Sequence, residues 1–302
     1  LLPFVIGSLL AVSTAYGQNT SSALTGRIVD AGGQPVAGAT VEIIHVPSGT
    51  SRTVMTDANG RYSAQGLRVG GPFEVKASGD HGNSADQKDL YLKLAEEATL
   101  NLTMGTAQQL ESIVVTGVAP GATFQSDNKG ISTNLSQRAL VAMPQPDRSI
   151  QNVVRADPRI VVTDRDRGAF SAMGQNFRYN SITVDTVNAG DPFGLNDNGL
   201  PTKGSPISPD AIEEYNISTA NYDVSQRRGV GATVNAVTKS GTNEFHGSAY
   251  YSYTNAKDLT GENEAGNDWT GWTSKYTAGA TLGGPIIKDT LFFFIAAEHE
   301  RT

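Results

Sequence analysis

Side chains that could carry out chemistry are few in this chain and are scattered along it. Cysteine is absent, which excludes thiol catalysis, disulfides and cysteine-based zinc sites. A single histidine in a strand is more often a packed side chain, or one that faces an internal channel, than a metal ligand or a catalytic base. The four histidines fall in separate segments: His45, His81, His246 and His299.

The short motifs of common active sites are absent as well. Residues 199–204 lack the Gly-Lys-Ser/Thr ending of a phosphate-binding loop, and neither G-x-S-x-G nor H-E-x-x-H occurs. Asp57–Gly60 fits a hairpin turn, because a calcium loop needs a fuller series of oxygen ligands. The formal net charge of −7 argues against non-specific binding to nucleic acid. We therefore predict no catalytic residue, no metal site, no cofactor and no nucleic-acid partner.

The remaining information lies in β-patterns, of which the segment Gly229–Thr254 is the clearest. Its first half is rich in glycine and small residues, as required where backbone packs tightly. A strand of about ten residues with one apolar face, one polar face and aromatic residues near its ends is typical of an outer-membrane β-barrel. The second half alternates in this way, with Phe245, Gly247, Ala249, Tyr251 and Tyr253 on one face and His246, Ser248, Tyr250, Ser252 and Thr254 on the other.

Two further strands are predicted, at Ser274–Gly283 and Leu291–Glu298. The connection Asn255–Thr273 is long and polar, whereas Pro285–Thr290 is a tight turn, which matches the long outer loops and short periplasmic turns of such barrels. Three strands cannot close a barrel, and an open edge in lipid would leave backbone groups unpaired. We therefore expect an N-terminal fragment whose missing part supplies the other strands. In the second strand the outward residues are Tyr276, Ala278, Ala280 and Leu282, and the inward residues are Thr277, Gly279, Thr281 and Gly283.

The sequence VNAVTKSGTNEFHG, together with the alternating strand that follows it, closely resembles the junction of plug and barrel in TonB-dependent outer-membrane receptors. The Oar-like receptors, which carry an extra N-terminal β-domain, are the most similar subgroup. The resemblance implies a plug over residues 123–243 and barrel strands over residues 244–302. It also implies uptake of an unidentified extracellular substrate, energised by TonB of the inner-membrane complex. Within the plug we expect short helices from Ser136, Arg148 and Pro209, and strands at Pro158–Val162, Ser181–Asp185, Tyr215–Ser218 and Ala232–Thr238.

Arginine and aspartate alternate in the first third of the predicted plug. Mixed charge of this kind usually forms a solvated surface with ion pairs. In a plug, the same pairs could instead contact the polar side chains that line the barrel wall. The residues concerned are Arg148, Arg155, Arg159, Arg165, Arg167, Asp147, Asp157, Asp164 and Asp166.

Residues 18–104 are predicted to form a small β-sandwich, because strand-like runs and turn signals recur about every ten residues. TGRIVDAGGQPVAGATVEI and TDANGRYSAQGLRVGGPFEV closely resemble the carboxypeptidase-regulatory-like domain, a transthyretin-like fold. The resemblance implies a binding or spacer module, with tight turns at Gly38 and Gly60; another turn is expected at Val69–Pro72. The expected core includes Val36, Val41, Tyr62, Leu67 and Phe73. The expected strands are Ala23–Val29, Thr40–Val46, Arg52–Thr56, Tyr62–Gln65, Phe73–Ala77 and Ala98–Met104.

The linker, residues 105–122, contains a short β-prone run that resembles a TonB box. A segment that binds a partner by adding a strand must be extended, rich in β-branched residues and free of any other sheet. Ile113–Thr116 satisfy the first two conditions. The alternative is an ordinary edge strand of the sandwich. The predicted box comprises Glu111, Ser112, Ile113, Val114, Val115, Thr116 and Gly117.

The first seventeen residues are predicted to be a signal peptide without its basic beginning. An uncharged, mostly apolar run from Leu1 to Leu10 precedes the small-x-small sequence Ala15–Gly17. The alternatives are a short buried strand or a membrane helix, although the run is shorter than the roughly 20 apolar residues that a helical span needs. We therefore expect a protein of the cell outer membrane, in contact with its lipid, with the sandwich and the TonB box in the periplasm.

The predicted fold class is mainly β: a transthyretin-like β-sandwich, then an α+β plug domain, then the first strands of an incomplete transmembrane β-barrel. A secreted or surface protein that binds carbohydrate or protein through its sandwich is the alternative, but it leaves the aromatic strands after residue 244 unexplained. An exported metallocarboxypeptidase would need a set of zinc ligands that the sequence lacks.

Overall fold

A computed structural model of the chain describes residues 20–79, 83–105, 130–143, 148–165, 167–202, 204–221, 230–255, 266 and 273–301. These residues form three parts in chain order, which we call the sandwich, the central domain and the C-terminal sheet. The predicted signal peptide and the predicted TonB box lie outside the described residues.

The sandwich contains two sheets that enclose one hydrophobic core. One sheet has the order β4-β1-β7, with β8 also paired to β1, and the other has the order β3-β2-β5-β6. Alternation drives the packing: in β2, Val41 and Ile43 are buried and their sequence neighbours are more exposed. The strands are β1 (Ser22–Val29), β2 (Thr40–His45), β3 (Thr50–Met55), β4 (Arg61–Leu67), β5 (Gly70–Ser78), β6 (Ser84–Leu92), β7 (Glu97–Thr99) and β8 (Leu102–Thr103).

The predicted core of the sandwich and its predicted turns at Gly38 and Gly60 are confirmed. Gly38 and Gly60 have φ angles of +71° and +70°, in the left-handed region that favours glycine. The Asp57 carboxylate accepts hydrogen bonds from the backbone N–H groups of Asn59 and Arg61, each at 2.8 Å, which is the geometry of a turn. Four of the five expected core side chains are buried and the fifth, Val36, packs against them half-buried; the four are Val41, Tyr62, Leu67 and Phe73.

Three details of the predicted sandwich were wrong. β6 was not predicted, because its sequence is polar and lacks a regular alternation. The alternation of its buried residues is interrupted at Asp89, which adopts φ 56°. Val69–Pro72 was expected to be a turn, but β5 begins at Gly70, which pairs with Leu92. Ala98–Met104 was expected to be one strand and instead contributes to two, since β7 and β8 pair with different parts of β1.

The central domain is a five-stranded sheet with a separate hairpin and two short helices. The sheet order is β13-β12-β15-β14-β9, and β10 pairs with β11. The expected helices at Ser136 and Arg148 and the expected closing strand are confirmed, whereas β9, with its polar sequence GISTNLS, was not predicted and is held by pairing with β14. The elements are β9 (Gly130–Ser136), α1 (Gln137–Ala142), α2 (Ile150–Val154), β10 (Ile160–Asp164), β11 (Ala169–Ala172), β12 (Ser181–Val184), β13 (Val187–Asn188), β14 (Ile212–Asn221) and β15 (Thr233–Thr238), with short 3-10 turns at Phe177–Tyr179 and Pro209–Ala211.

The C-terminal sheet is an antiparallel meander of β16 (His246–Asn255), β17 (Ser274–Ile287) and β18 (Leu291–Arg301). The predicted turn at Pro285–Thr290 is shorter than expected, because β17 continues to Ile287. Proline lacks a backbone N–H, and the register between β17 and β18 shifts between Pro285 and Ile287.

Candidate functional site

The C-terminal sheet has one apolar face and one polar face, as the alternation predicts. The apolar face exposes large side chains over all three strands, and the rings of Tyr251 and Tyr276 stack at 6.3 Å. An exposed apolar surface that runs across a whole sheet is unfavourable in water and suits contact with lipid. The exposed apolar residues on this face include Phe245, Tyr251, Tyr253, Leu282 and Ile295.

On the polar face, Tyr250, Gly279 and Glu298 lie side by side on three adjacent strands. Gly279 has no side chain, and the ring of Tyr250 occupies the space in front of it. A Cβ atom at this position would lie 2.6 Å from Cε1 of Tyr250. The Tyr250 hydroxyl thereby reaches across the middle strand and donates a hydrogen bond to the Glu298 carboxylate.

Arg148 of the central domain lies against this row. Its guanidinium carbon is 4.2 Å from the centre of the Tyr250 ring, within the range of a cation–π interaction. The same guanidinium forms ion pairs with Glu298, at 3.2 Å, and with Asp210. The Ser208 hydroxyl donates to Glu298 at 2.9 Å. Tyr250, Glu298, Arg148, Asp210 and Ser208 therefore connect the central domain to the C-terminal sheet, and we call them the wall contact.

Local structure explains how the central domain presents these groups. Arg148 lies just before α2 with φ 51°, a backbone conformation that L-residues seldom adopt. Ser208 and Asp210 lie at the 3-10 turn Pro209–Ala211, where the Ser208 hydroxyl also accepts from the Asp210 N–H at 3.3 Å. The three ionic side chains are each between a fifth and a quarter exposed. In such partly buried surroundings an ion pair is screened less by salt than at an open surface.

The alternating arginines and aspartates therefore play different roles. Arg148 contacts the polar face of the C-terminal sheet through Tyr250 and Glu298, in line with the alternative that the sequence left open and not with a solvated surface. Arg159 instead pairs with Asp157, which is fully buried inside the central domain and also accepts from the Thr133 hydroxyl at 3.0 Å. Arg167 forms exposed ion pairs with Asp164 and Asp197, as expected for a solvated surface. Asp147 and Asp166 lie outside the described residues.

Sequence reasoning placed Tyr250 on the polar face but did not identify Glu298 as its partner. Residues 291–297 of β18 are apolar without alternation, so no local signal assigns Glu298 to a face. The pairing itself depends on the register between strands, which the sequence does not state.

A second contact joins the sandwich to the other two parts. The backbone N–H of Asn243 donates to the Pro47 carbonyl at 2.8 Å, and the Asn243 side chain bonds Asp289 in the turn between β17 and β18. Arg68 donates to the Ser240 hydroxyl at 2.6 Å and lies 5.4 Å from the centre of the Phe292 ring. The sandwich therefore contacts the end of the C-terminal sheet where its short turn lies.

The end of the central sheet where β12 and β15 begin carries a polar cavity of about 220 Å³. The Asp191 carboxylate shapes one side of it by accepting hydrogen bonds from the N–H groups of Phe193, Leu195 and Asn196. These backbone donors keep the pKa of Asp191 below its usual value. The loop leaves Phe193 and Leu195 about four-fifths exposed.

Among the described residues, no three His, Asp or Glu side chains are arranged to hold a metal ion. His45 is packed in the sandwich against Phe73, and His246 begins β16. Within the same residues, no helix has both the length and the apolar character to cross a bilayer. The predicted TonB box, Glu111–Gly117, lies outside the described residues.

Two family models match parts of the chain. Residues 23–105 match the carboxypeptidase regulatory-like domain, and residues 237–302 match an outer membrane beta barrel domain. The first match covers the sandwich, and the second begins within β15 and covers the whole C-terminal sheet.

The chain is 30% identical to the TonB-dependent transporter Oar of Myxococcus xanthus over 96% of its own length. It spans only 27% of that relative. Among solved structures, the siderophore receptor PirA of Acinetobacter baumannii is 22% identical over 56% of this chain and 24% of that one, with a TM-score of 0.41. PirA of Pseudomonas aeruginosa is 16% identical over 56% and 27% of the two chains, also with a TM-score of 0.41. The predicted resemblance to Oar-like receptors with a carboxypeptidase-regulatory-like domain is confirmed by the family models and the curated relative.

Proposed function

We propose that this chain, an Oar-like relative of the TonB-dependent receptors, works in energised transport across the outer membrane. The observation that carries the proposal is the wall contact. An α+β domain is attached through Arg148 to the polar face of a sheet whose opposite face is apolar. A plug held against the inner wall of a lipid-embedded barrel requires this arrangement.

Roles follow for each segment under this proposal. Residues 1–17 direct export, residues 123–243 form the plug, and residues 244–302 belong to the barrel wall. The sandwich, residues 18–104, and the linker, residues 105–122, lie in the periplasm. An unidentified extracellular substrate is taken up when TonB pulls on the linker, and no covalent bond of the substrate changes.

The linker offers the sharpest test of energisation. If Glu111–Gly117 adds a strand to TonB, binding rests mainly on backbone hydrogen bonds. Proline has no backbone N–H and fixes φ, so Val114→Pro should abolish binding of the periplasmic domain of TonB to the purified protein. Val114→Ala keeps both backbone groups and should bind almost as well as the unmodified protein.

Two outcomes would overturn the proposal at different levels. Equal binding of TonB by the Val114→Pro and Val114→Ala proteins would exclude the box. Recovery of the native protein in the medium or cytosol, and not with the outer membrane, would exclude the barrel and favour a secreted sandwich protein that binds carbohydrate or protein.

A further inference from the structure

The sandwich contacts the central domain at a second place, through the turn Lys93–Glu96 between β6 and β7. Leu94 in this turn is fully buried, yet its side chain is not part of the sandwich core. Ala95 has φ 56°, a conformation that costs free energy for a residue other than glycine. The turn is therefore shaped to present its backbone and side chains to the central domain.

The partner of this turn is Glu214 on β14. The backbone N–H of Leu94 donates to the Glu214 carboxylate at 3.1 Å, and the side chain of Glu214 is almost fully buried. Beside it, the Asn134 side chain of β9 donates to Glu96 at 3.3 Å. The neighbouring Glu213 packs against the sandwich as well, since a Cβ atom at Gly70 would lie 2.9 Å from its carboxylate.

Two adjacent carboxyl groups of the central domain are thus covered by the sandwich. A buried carboxylate is costly unless a cation or several donors compensate it. The Glu214 carboxylate accepts a hydrogen bond from the Leu94 N–H. It also interacts electrostatically with Lys93 and Glu96 of the sandwich and with Glu213 of its own strand. The corresponding groups for Glu213 are Lys239 and His246.

We propose that the sandwich is a releasable cover of the central domain, and that ionisation of Glu214 weakens its attachment. The carboxyl group is accommodated when it is protonated and neutral. When it ionises, the Leu94 N–H and the ammonium group of Lys93, which pairs with Glu96 at 3.6 Å, do not replace the water that the sandwich excludes.

Burial raises the pKa of Glu214 to about 7, with the negative charges of Glu213 and Glu96 adding to the effect. Detachment of the sandwich exposes the carboxyl group and returns its pKa toward the ordinary value of about 4.3. The attached form therefore binds the proton more tightly. Attachment is strongest at acid pH, weakens as the pH rises toward about 7, and changes little above it.

These 302 residues contain no cysteine, so a thiol introduced among them is a defined site for labelling. Leu94→Cys keeps the backbone N–H and places a thiol in the covered turn of the purified, otherwise native protein. The rate of its reaction with a water-soluble maleimide is divided by the rate for Met55→Cys, because Met55 is 67% exposed on the sandwich. This ratio removes the pH dependence of the thiol itself.

We expect the ratio to rise by up to about tenfold per pH unit between pH 5 and 7 and then to level off. Glu214→Gln carries no charge at any pH, so in that background the ratio should stay low and flat. Glu96→Gln, which changes a more exposed neighbour, should keep the rise. A flat ratio in the unmodified background, or an unchanged rise with Glu214→Gln, would overturn the proposal. Neither result depends on TonB or on a substrate, so the transport proposal is tested separately.

Discussion

The ring of Tyr250 lies across Gly279, and this lets its hydroxyl reach Glu298 two strands away. The arrangement depends on the absence of a side chain at one position of the middle strand. It gives the wall contact a broad surface, because the guanidinium of Arg148 packs on the face of the same ring.

Replacing Gly279 should therefore disturb the wall contact without a change of charge. In Gly279→Val the new side chain takes the place of the Tyr250 ring, so the tyrosine must leave Glu298 and Arg148. We expect faster cleavage of the central domain by a protease added to the purified protein.

Ala280→Val is the matched control, since residue 280 is exposed on the opposite face of the same strand. Equal protease resistance of the Gly279→Val and Ala280→Val proteins would contradict the role of Gly279.

The ion pair between Arg148 and Glu298 should contribute to the attachment of the central domain to the C-terminal sheet. Arg148→Ala, Glu298→Gln and the double variant form a cycle, and groups in direct contact typically give coupling free energies of about 0.5–3 kcal/mol. The quantity to measure is the free energy of opening, from hydrogen exchange of the backbone amides in α2.

Arg167→Ala serves as the control for this cycle, because the Arg167 side chain is 71% exposed to solvent. We expect it to leave the opening of α2 unchanged. Additive effects of the Arg148 and Glu298 substitutions would show that the pair is not coupled.

The sandwich should fold without the rest of the chain, since its core consists entirely of its own residues. In a fragment of residues 20–105, Gly60→Val should lower the free energy of unfolding by about 2 kcal/mol or more. The reason is twofold: φ is +70°, and a Cβ atom would lie 3.1 Å from both Pro35 and Val36 while clashing with the Ile28 carbonyl.

Gly33→Ala provides the comparison in the same fragment. Its φ is +80°, but no atom lies within 4 Å of the added methyl group, so only the backbone strain of about 1 kcal/mol remains. Urea unfolding followed by circular dichroism gives both values. A fragment that is disordered before any substitution would refute independent folding.

His45 should make this fragment less stable in acid. Burial, with a smaller contribution from the charge of Arg68, lowers the pKa of His45 to about 4. The unfolded chain, with a pKa of about 6.5, binds the proton more tightly. The contribution of neutral His45 to the free energy of unfolding is therefore fully present above about pH 6.5. It is lost as the pH drops toward 4, by at most about 3 kcal/mol.

His45→Phe cannot titrate and removes this part of the pH dependence. It also loses the hydrogen bond between Nδ1 and the Ser48 hydroxyl, at 2.7 Å, so its stability is lower at neutral pH. The test is the slope of the unfolding free energy between pH 6.5 and 4. A slope that His45→Phe does not reduce would assign the acid sensitivity to other groups.

Local patterns in the sequence were enough to define most of the strands and the faces of the sheets. Strict alternation in β16 and β17 determined which side chains lie on the exposed apolar face and which face the central domain, because successive residues of a strand point to opposite sides. The turn at Gly60 followed from the turn residues Asp57–Gly60, which involve only a few neighbouring positions.

Tertiary structure alone decided which residues from different elements meet. β9 is too polar to be recognised locally and owes its place to β14. The partners of Arg148 depend on strand register and on the space left by Gly279. Likewise, nothing around Glu214 in the sequence indicates that a turn 120 residues earlier buries its carboxylate. Such contacts arise when segments distant in sequence pack together. The free energy of that packing cannot be read from the local alternation of side chains.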